Sequence, residues 1–206
     1  YCWNKPFNHK KVTALPIGLN YCRQYNAMEN YLSEKVEEQN KKLLCINFSQ
    51  ETNKIRSLLV KKAKKEWKDF CNIFKTIPNS KTYVKKSHIE GQININVTNP
   101  LYYHLINKYK FILSPPGAGP DCHRTWEALY IGCIPIVISS SINELYEDLP
   151  ILVIDKWSDI TEDFLNKKYL EITNNKEQGL YNMDKLYMKY WIDKIKKDDT
   201  NNNFKY

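Results

Sequence analysis

The stretch Phe111 to Pro135, FILSPPGAGPDCHRTWEALYIGCIP, decides the fold. An apolar run enters a loop of Pro and Gly, a polar helix start follows, and a second apolar run opens at its end. Half of the six glycines in the chain, Gly117, Gly119 and Gly132, fall here. In a chain so sparing of glycine they mark places where backbone turns tightly or approaches something closely. Asp121, His123, Arg124 and Glu127 follow the loop at once. Such a bend exposes backbone N–H groups and aims the positive end of a helix at whatever binds there. That suits a phosphorylated ligand at the carboxyl end of a sheet.

Outward from this stretch, apolar runs recur at Lys42–Phe48 (KLLCINF), Lys110–Leu113, Ile134–Ile138 and Ile151–Ile154. They are continuous rather than alternating, so they read as strands covered on both faces. Helices are expected between them. Amphipathic spacing predicts a long one over Asn53–Phe74, and others over Ala27–Gln39, Tyr102–Tyr109 and Cys122–Tyr130. Shorter or later helices are expected near Ile142–Glu147, from Ser158 to about Asn166, and over Leu180–Ile195. Val12–Ile17 reads as a short strand ending at Gly18, Ile77–Ser80 as a turn and Thr82–Val84 as a brief strand. Strands alternating with helices predict an α/β fold, a parallel sheet with helices on each side. The expected organisation is one domain over 1–196, with a lead-in at 1–40, a core at 41–170, a C-terminal helix at 171–196 and a flexible tail at 197–206.

A chain of 206 residues that is 42% hydrophobic and 13% aromatic can bury a proper core. No apolar run approaches the ~18–20 residues needed to cross a bilayer, so no transmembrane segment is expected, and no signal-peptide pattern opens the chain. Because it opens at Tyr1 rather than Met, a preceding piece is expected. The net charge of +8 is concentrated in Lys41–Lys86, where thirteen Lys/Arg face three acids. A basic stripe fits a polyanion, an anionic membrane, or simply a lysine-rich solvated helix face. No aromatic or glycine-rich nucleic-acid motif accompanies it, so no nucleic acid is expected. Only three of the basic residues are arginines, Arg23, Arg56 and Arg124. Arg's rigid fork suits a bidentate grip on phosphate, which makes each a site candidate and Arg124 the foremost. The six cysteines show no CxxC spacing, and Cys45 and Cys133 read as buried thiols. N-x-S/T sequons at Asn47 and Asn96 leave the compartment open between secretory lumen and cytoplasm.

The loop Ser114–Asp121 is neither a Walker loop nor a dinucleotide GxGxxG. It can cradle a diphosphate on its amides, or it can be a rigid connection with Asp121 as helix N-cap. His123 and Glu127 are four apart and Arg124 and Glu127 three apart, so they share a helix face. A carboxylate there can accept ribose hydroxyls while the arginine neutralises phosphate. The plainer alternative is a local Arg124–Glu127 pair worth ~0.3–0.5 kcal/mol. His123 and Glu127 could chelate a metal, yet no third ligand is evident, and no metal is expected.

The segment KFILSPPGAGPDCHRTWEALYIGCIPIV, with LYEDLPILVIDKWSDIT downstream, resembles the carboxy-terminal, donor-binding half of exostosin-like glycosyltransferases. The similarity is dense from about Tyr109 to Leu165 and looser upstream, through PIGLN (Pro16–Asn20) and CINFSQETNKIR (Cys45–Arg56). The resemblance implies the two-domain GT-B plan, with this chain supplying the Rossmann-like domain that binds a nucleotide-diphosphate sugar. UDP-sugars come first among the donors, and a glycan or glycoprotein hydroxyl is the acceptor. It places Glu127 on the donor ribose, Arg124 and Arg56 near the diphosphate, and Gly117 and Gly119 where backbone meets donor. Ser114, Asp121 and Ser139 join the donor-binding set, with Ser139–Ser141 on the rim. His123 is the candidate catalytic base by chemistry, and no cofactor is implied.

The chain is short for a complete two-domain enzyme, so the acceptor side is expected to come from a missing N-terminal domain or a partner subunit, or else to be minimal. Two other readings stand beside transfer: a non-catalytic nucleotide-sugar-binding module of the same fold, and a polyanion binder working through Lys41–Lys86. No D-x-D motif ends a strand, which disfavours the metal-dependent single-domain plan.

Overall fold

The computed structural model describes residues 1–5, 7, 9, 12–34, 38–76, 94, 95 and 100–201. In chain order the elements are β1 (Cys2–Trp3), β2 (Ala14–Leu15), α1 (Tyr21–Ser33), β3 (Lys42–Asn47), α2 (Lys54–Glu66), β4 (Cys71–Thr76), β5 (Asn94–Ile95) and α3 (Pro100–Asn107). They continue with β6 (Tyr109–Leu113), α4 (His123–Ile131), β7 (Ile134–Ile138), β8 (Leu152–Ile154), α5 (Glu162–Glu177) and α6 (Met188–Asn201). Short 3-10 turns sit at Asn143–Leu145, Trp157–Asp159 and Met183–Leu186.

The six-stranded sheet has the order β5-β4-β3-β6-β7-β8, and every neighbouring pair is parallel. Counted within the sheet this is 3-2-1-4-5-6, the Rossmann order; the parallel sheet is the one the apolar runs predicted, and its Rossmann-like form is what the resemblance implied. Its central strands are covered on both faces. Leu44 and Ile46 of β3 pack with Leu59, Val60 and Ala63 of α2 and with Leu165 and Ile172 of α5. Cys45, between them, faces the other way, into a cluster with Met28 and Tyr31 of α1, Tyr102, Tyr103 and Ile106 of α3, and Ala128 and Ile131 of α4. Continuous hydrophobicity is the consequence of that two-sided burial. The strand order reverses between β3 and β6, and at such a point the loops leaving the two strands part and open a crevice at their carboxyl ends.

Two details show how the motif builds its strands. Gly132 has φ 84°, and its N–H and that of Cys133 return to the Leu129 and Ala128 carbonyls, a Schellman stop that turns α4 directly into β7. Pro135 lies inside β7, where a missing N–H would normally interrupt a ladder. The Ile136 carbonyl accepts from Ser114 N on the β6 side, so by alternation Pro135 N faces the β8 side. The β8 ladder begins only at Leu152, opposite Ile136, and no ladder bond is lost.

Several expected boundaries move. The long helix predicted over Asn53–Phe74 is α2 ending at Glu66, a turn at Trp67–Phe70, and strand β4 paired to β3. The helix expected from Ser158 begins instead after Thr161, whose Oγ1 accepts from Phe164 N, and runs to Glu177. The first helix lies earlier than predicted, at Tyr21–Ser33, and the last is split into the Met183–Leu186 turn and α6. The helix α6 continues to Asn201, past the expected boundary at 196. The predictions for Ile77–Ser80 and Thr82–Val84 lie outside the described residues. No helix among them is long and apolar enough to cross a membrane.

Candidate functional site at the carboxyl edge of the sheet

The predicted residues lie along the carboxyl edge of the sheet, most of them beside the point where the strand order reverses and Ser139 one strand further out, after β7. The Ser114–Pro120 loop leaves β6, α4 carries His123, Arg124 and Glu127 from the next turn, and Ser139 follows β7. Arg56 arrives from the first turns of α2, on the opposite face of the sheet.

Arg56 is 5% exposed and gives all five of its N–H donors to the protein. Its Nε donates to the Pro116 carbonyl (2.9 Å), Nη1 to the Ser49 carbonyl (3.2 Å) and Thr52 Oγ1 (2.7 Å), and Nη2 to the Pro115 carbonyl (3.0 Å) and Cys122 Sγ (3.5 Å). Asn53 caps α2 through Oδ1 and donates from Nδ2 to the Gly117 carbonyl (2.9 Å). Three successive loop carbonyls are therefore held from the α2 side. Gly117 is needed for this: a Cβ there would stand 2.9 Å from Arg56 Nη2. Burial first, and the charge of Arg124 second, push the Arg56 guanidinium below its ordinary value.

Arg124 differs. Its Nε is buried and has no hydrogen-bond partner among the described residues. Its guanidinium carbon lies 5.7 Å from the centre of the Phe48 ring, which Arg56 approaches to 5.3 Å. Phe48 is 4% exposed and immediately follows β3, so one ring at the sheet's carboxyl end meets two guanidiniums from helices on opposite faces. The ion pairs among the described residues are Lys5–Glu144, Lys62–Glu66, Lys168–Glu171 and Lys189–Asp193, so the local Arg124–Glu127 pair does not form. Glu127 is 2% exposed and accepts from Tyr102 Oη at 3.3 Å. Burial, then the nearby Glu127 charge, raises the Tyr102 hydroxyl well above its ordinary value and keeps it a donor.

Asp121 is buried among donors. Its carboxylate accepts from Ile17 N (2.7 Å), Cys122 N (2.9 Å) and Trp126 Nε1 (2.9 and 3.1 Å). Burial pushes its carboxyl above the ordinary value, while these hydrogen bonds pull the other way. The N-cap of α4 is Cys122, so Asp121 ties the segment before Gly18 to the helix instead of capping it. His123 Nδ1 lies 2.7 Å from the Gly18 carbonyl, which can only accept, so Nδ1 carries the proton and Nε2 is the basic nitrogen of the neutral ring. Ser114 is buried with its Oγ 2.9 Å from Thr125 Oγ1. Ser139 is exposed and its Oγ accepts from Asn143 Nδ2 at 2.9 Å.

Sequence reasoning did not single out Asn4, Phe48 or Tyr102. Asn4 has φ 54°, and its Oδ1 accepts from Asp121 N at 2.7 Å. Its side chain packs so closely on Gly119 that a Cβ there would come within 2.3 Å. The close approaches at Gly117 and Gly119 are thus to Arg56 and Asn4. The amides of Ala118, Gly119, His123 and Arg124 have no partner among the described residues, and Ala118 is exposed.

The lysines of the basic stretch lie elsewhere. Lys61, Lys64, Lys65 and Lys68 are exposed at the far end of α2, toward the amino edge of the sheet, as a solvated helix face. Asn47 is fully buried on β3, which removes one sequon from consideration. A cavity of about 490 Å³ also opens at the amino edge, beside Lys41, Gly132, Tyr169 and Lys176. Rossmann-like sheets bind at the other edge, where the Ser114–Pro120 loop and the start of α4 lie, and that edge is the better candidate.

No curated protein matches the chain closely enough to count as a relative. The description of the Exostosin GT47 domain matches it over residues 11–160. That span covers most of the chain, including both helix starts and the loop between β6 and α4, so the chain belongs to the Exostosin GT47 family of glycosyltransferases.

Proposed function

We propose that the chain binds a nucleotide-diphosphate sugar at the carboxyl edge between β3 and β6 and serves glycosyl transfer from it to an acceptor hydroxyl. The observation that carries this reading is Arg124, a guanidinium in the first turn of α4 whose buried Nε has no acceptor among the described residues. The first-turn amides of α4 and those of Ala118 and Gly119, on the loop before it, have no partner among the described residues. Two guanidiniums meet over one phenyl ring with no carboxylate paired to either among the described residues, and a diphosphate would relieve their repulsion. Glu127 fits the ribose hydroxyls, with Tyr102 orienting its carboxylate.

In the reaction the acceptor oxygen attacks the anomeric carbon, the bond from that carbon to the diphosphate oxygen breaks, and the acceptor proton leaves to a base. The developing charge on the diphosphate falls on Arg124 and the helix-end amides, which are already oriented and need no reorganisation. His123 Nε2 is the candidate for the base. A glycan or glycoprotein is the acceptor, and the GT-B plan assigns its binding to a second domain. UDP is the first donor nucleotide to try.

Calorimetric titration with UDP tests this. Arg124→Ala is expected to weaken binding by about 10- to 150-fold, the worth of one or two charged hydrogen bonds. Glu127→Ala should weaken binding of UDP and leave binding of inorganic pyrophosphate unchanged. Wild-type affinity in Arg124→Ala would remove the reading. Release of UDP from UDP-sugars by the wild-type chain separates turnover from binding alone.

A further inference from the structure

We infer that the two arginines of the site divide the work. Arg124 touches the diphosphate, whereas Arg56, with Asn53, is a positioning residue that sets the loop from beneath and stays off the ligand. This rests on the donor-binding reading above. The sequence puts both arginines near the diphosphate, with Arg124 foremost, but does not say what either holds; the hydrogen bonds separate them. A guanidinium has five N–H donors, and those of Arg56 all end on Ser49, Thr52, Pro115, Pro116 and Cys122. To reach a phosphate it would have to release loop carbonyls that have no other charged donor among the described residues.

The direction of those bonds matters more than their number. The carbonyls of Pro115, Pro116 and Gly117 are all drawn toward the start of α2, by Arg56 Nη2, Arg56 Nε and Asn53 Nδ2 in turn. Carbonyl oxygens would repel a diphosphate. Turning three in succession toward α2 leaves the following amides, Ala118 and Gly119, as the loop's offering to an anion. Phe48 completes the division, since its ring lies under the Arg124 guanidinium and keeps that charge at the crevice without using its donors.

The three arginines of the chain give three side-chain Nε–H signals, which can be followed by nitrogen-15 NMR. Arg23→Lys and Arg124→Lys assign two of them and leave Arg56 by elimination. On titration with UDP, the Arg124 signal is expected to move with the binding isotherm while the Arg56 signal, already bonded to the Pro116 carbonyl, holds its position. Movement of the Arg56 signal equal to that of Arg124 would overturn the division of roles. If calorimetry shows no UDP binding, or saturation with neither signal moving, the donor-site reading itself fails and the division with it.

Asn53→Ser provides a second readout. Serine keeps the α2 cap but is too short to reach Gly117, so UDP affinity should fall about fivefold, the worth of one lost hydrogen bond. The thermal midpoint should fall by only about 2–4 °C, the stability worth of that one bond, so the variant remains folded. Unchanged UDP affinity in Asn53→Ser would count against the loop being set from α2.

Discussion

Gly117→Ala probes how the loop is held. The φ angle of Gly117 lies outside the left-handed region, so alanine meets no backbone strain and the whole effect is contact. The new Cβ would stand 2.9 Å from Arg56 Nη2 where ordinary contact begins at 3.4 Å, so the guanidinium must retreat by roughly half an ångström. It cannot retreat freely, because that nitrogen donates to the Pro115 carbonyl and Cys122 Sγ, and its neighbours are bonded as well. Weakening one or two hydrogen bonds of a buried charge costs about 2–3 kcal/mol. Alanine recovers about 0.4–1 kcal/mol by restricting the unfolded chain. The net loss is about 2 kcal/mol, or about 4–8 °C in Tm for a domain of this size. Thermal unfolding followed by circular dichroism measures it, with Ala118→Ser as a solvent-facing control at the next position. A midpoint for Gly117→Ala indistinguishable from wild type would refute the packing of Arg56 beneath the loop.

Further outcomes follow from other residues. Gly119→Ala should displace Asn4 from Asp121 N and expose the first residues to protease, and an unchanged cleavage pattern would contradict that contact. Burial pushes the Asp121 carboxyl above its ordinary value, so the folded state holds the proton more tightly than the unfolded. This term therefore lowers stability as pH rises from the unfolded value of 3.8 through the folded one, and restores it on acidification. Urea unfolding of wild type and Asp121→Asn across pH 4 to 7 (about the carboxyl range) should show the wild-type advantage growing toward acid; a flat difference would contradict it. Burial raises the Cys71 and Cys133 thiols to about 12 and holds Cys45 well above its ordinary value. In a native-state alkylation these three should resist labelling while Cys2 and Cys122 react, which peptide mass spectrometry reads directly.

Much of this was legible in the residues. Runs such as LLCI and IPIVI are apolar on successive positions because each strand buries both faces, and that property gave the parallel sheet before any coordinate. The β6–loop–α4–β7 unit was legible for the same reason, with Gly132 marking the turn between helix and strand. The strand β4 was not. Trp67, Phe70 and Phe74 continue the three-and-four spacing of α2, no Pro or Gly interrupts them, and only pairing with β3 converts Cys71–Thr76 to strand. In the site, the scarcity of arginine made each of the three a candidate and the glycine-bearing segment put Arg124 first, but neither signal showed what Arg56 holds. The acceptors of Arg56 include backbone carbonyls about sixty positions away, and carbonyls leave no trace in side-chain identity. Asn4 meets Asp121 across 117 positions, beyond any local pattern.

A crystal structure of the chain with UDP bound would examine the donor site itself. The diphosphate is expected at the carboxyl ends of β3 and β6, within hydrogen-bond distance of Arg124 and of the Ala118 or Gly119 amide, with Arg56 still on its loop carbonyls. UDP seated at the amino edge, in the cavity beside Lys41 and Lys176, would contradict it.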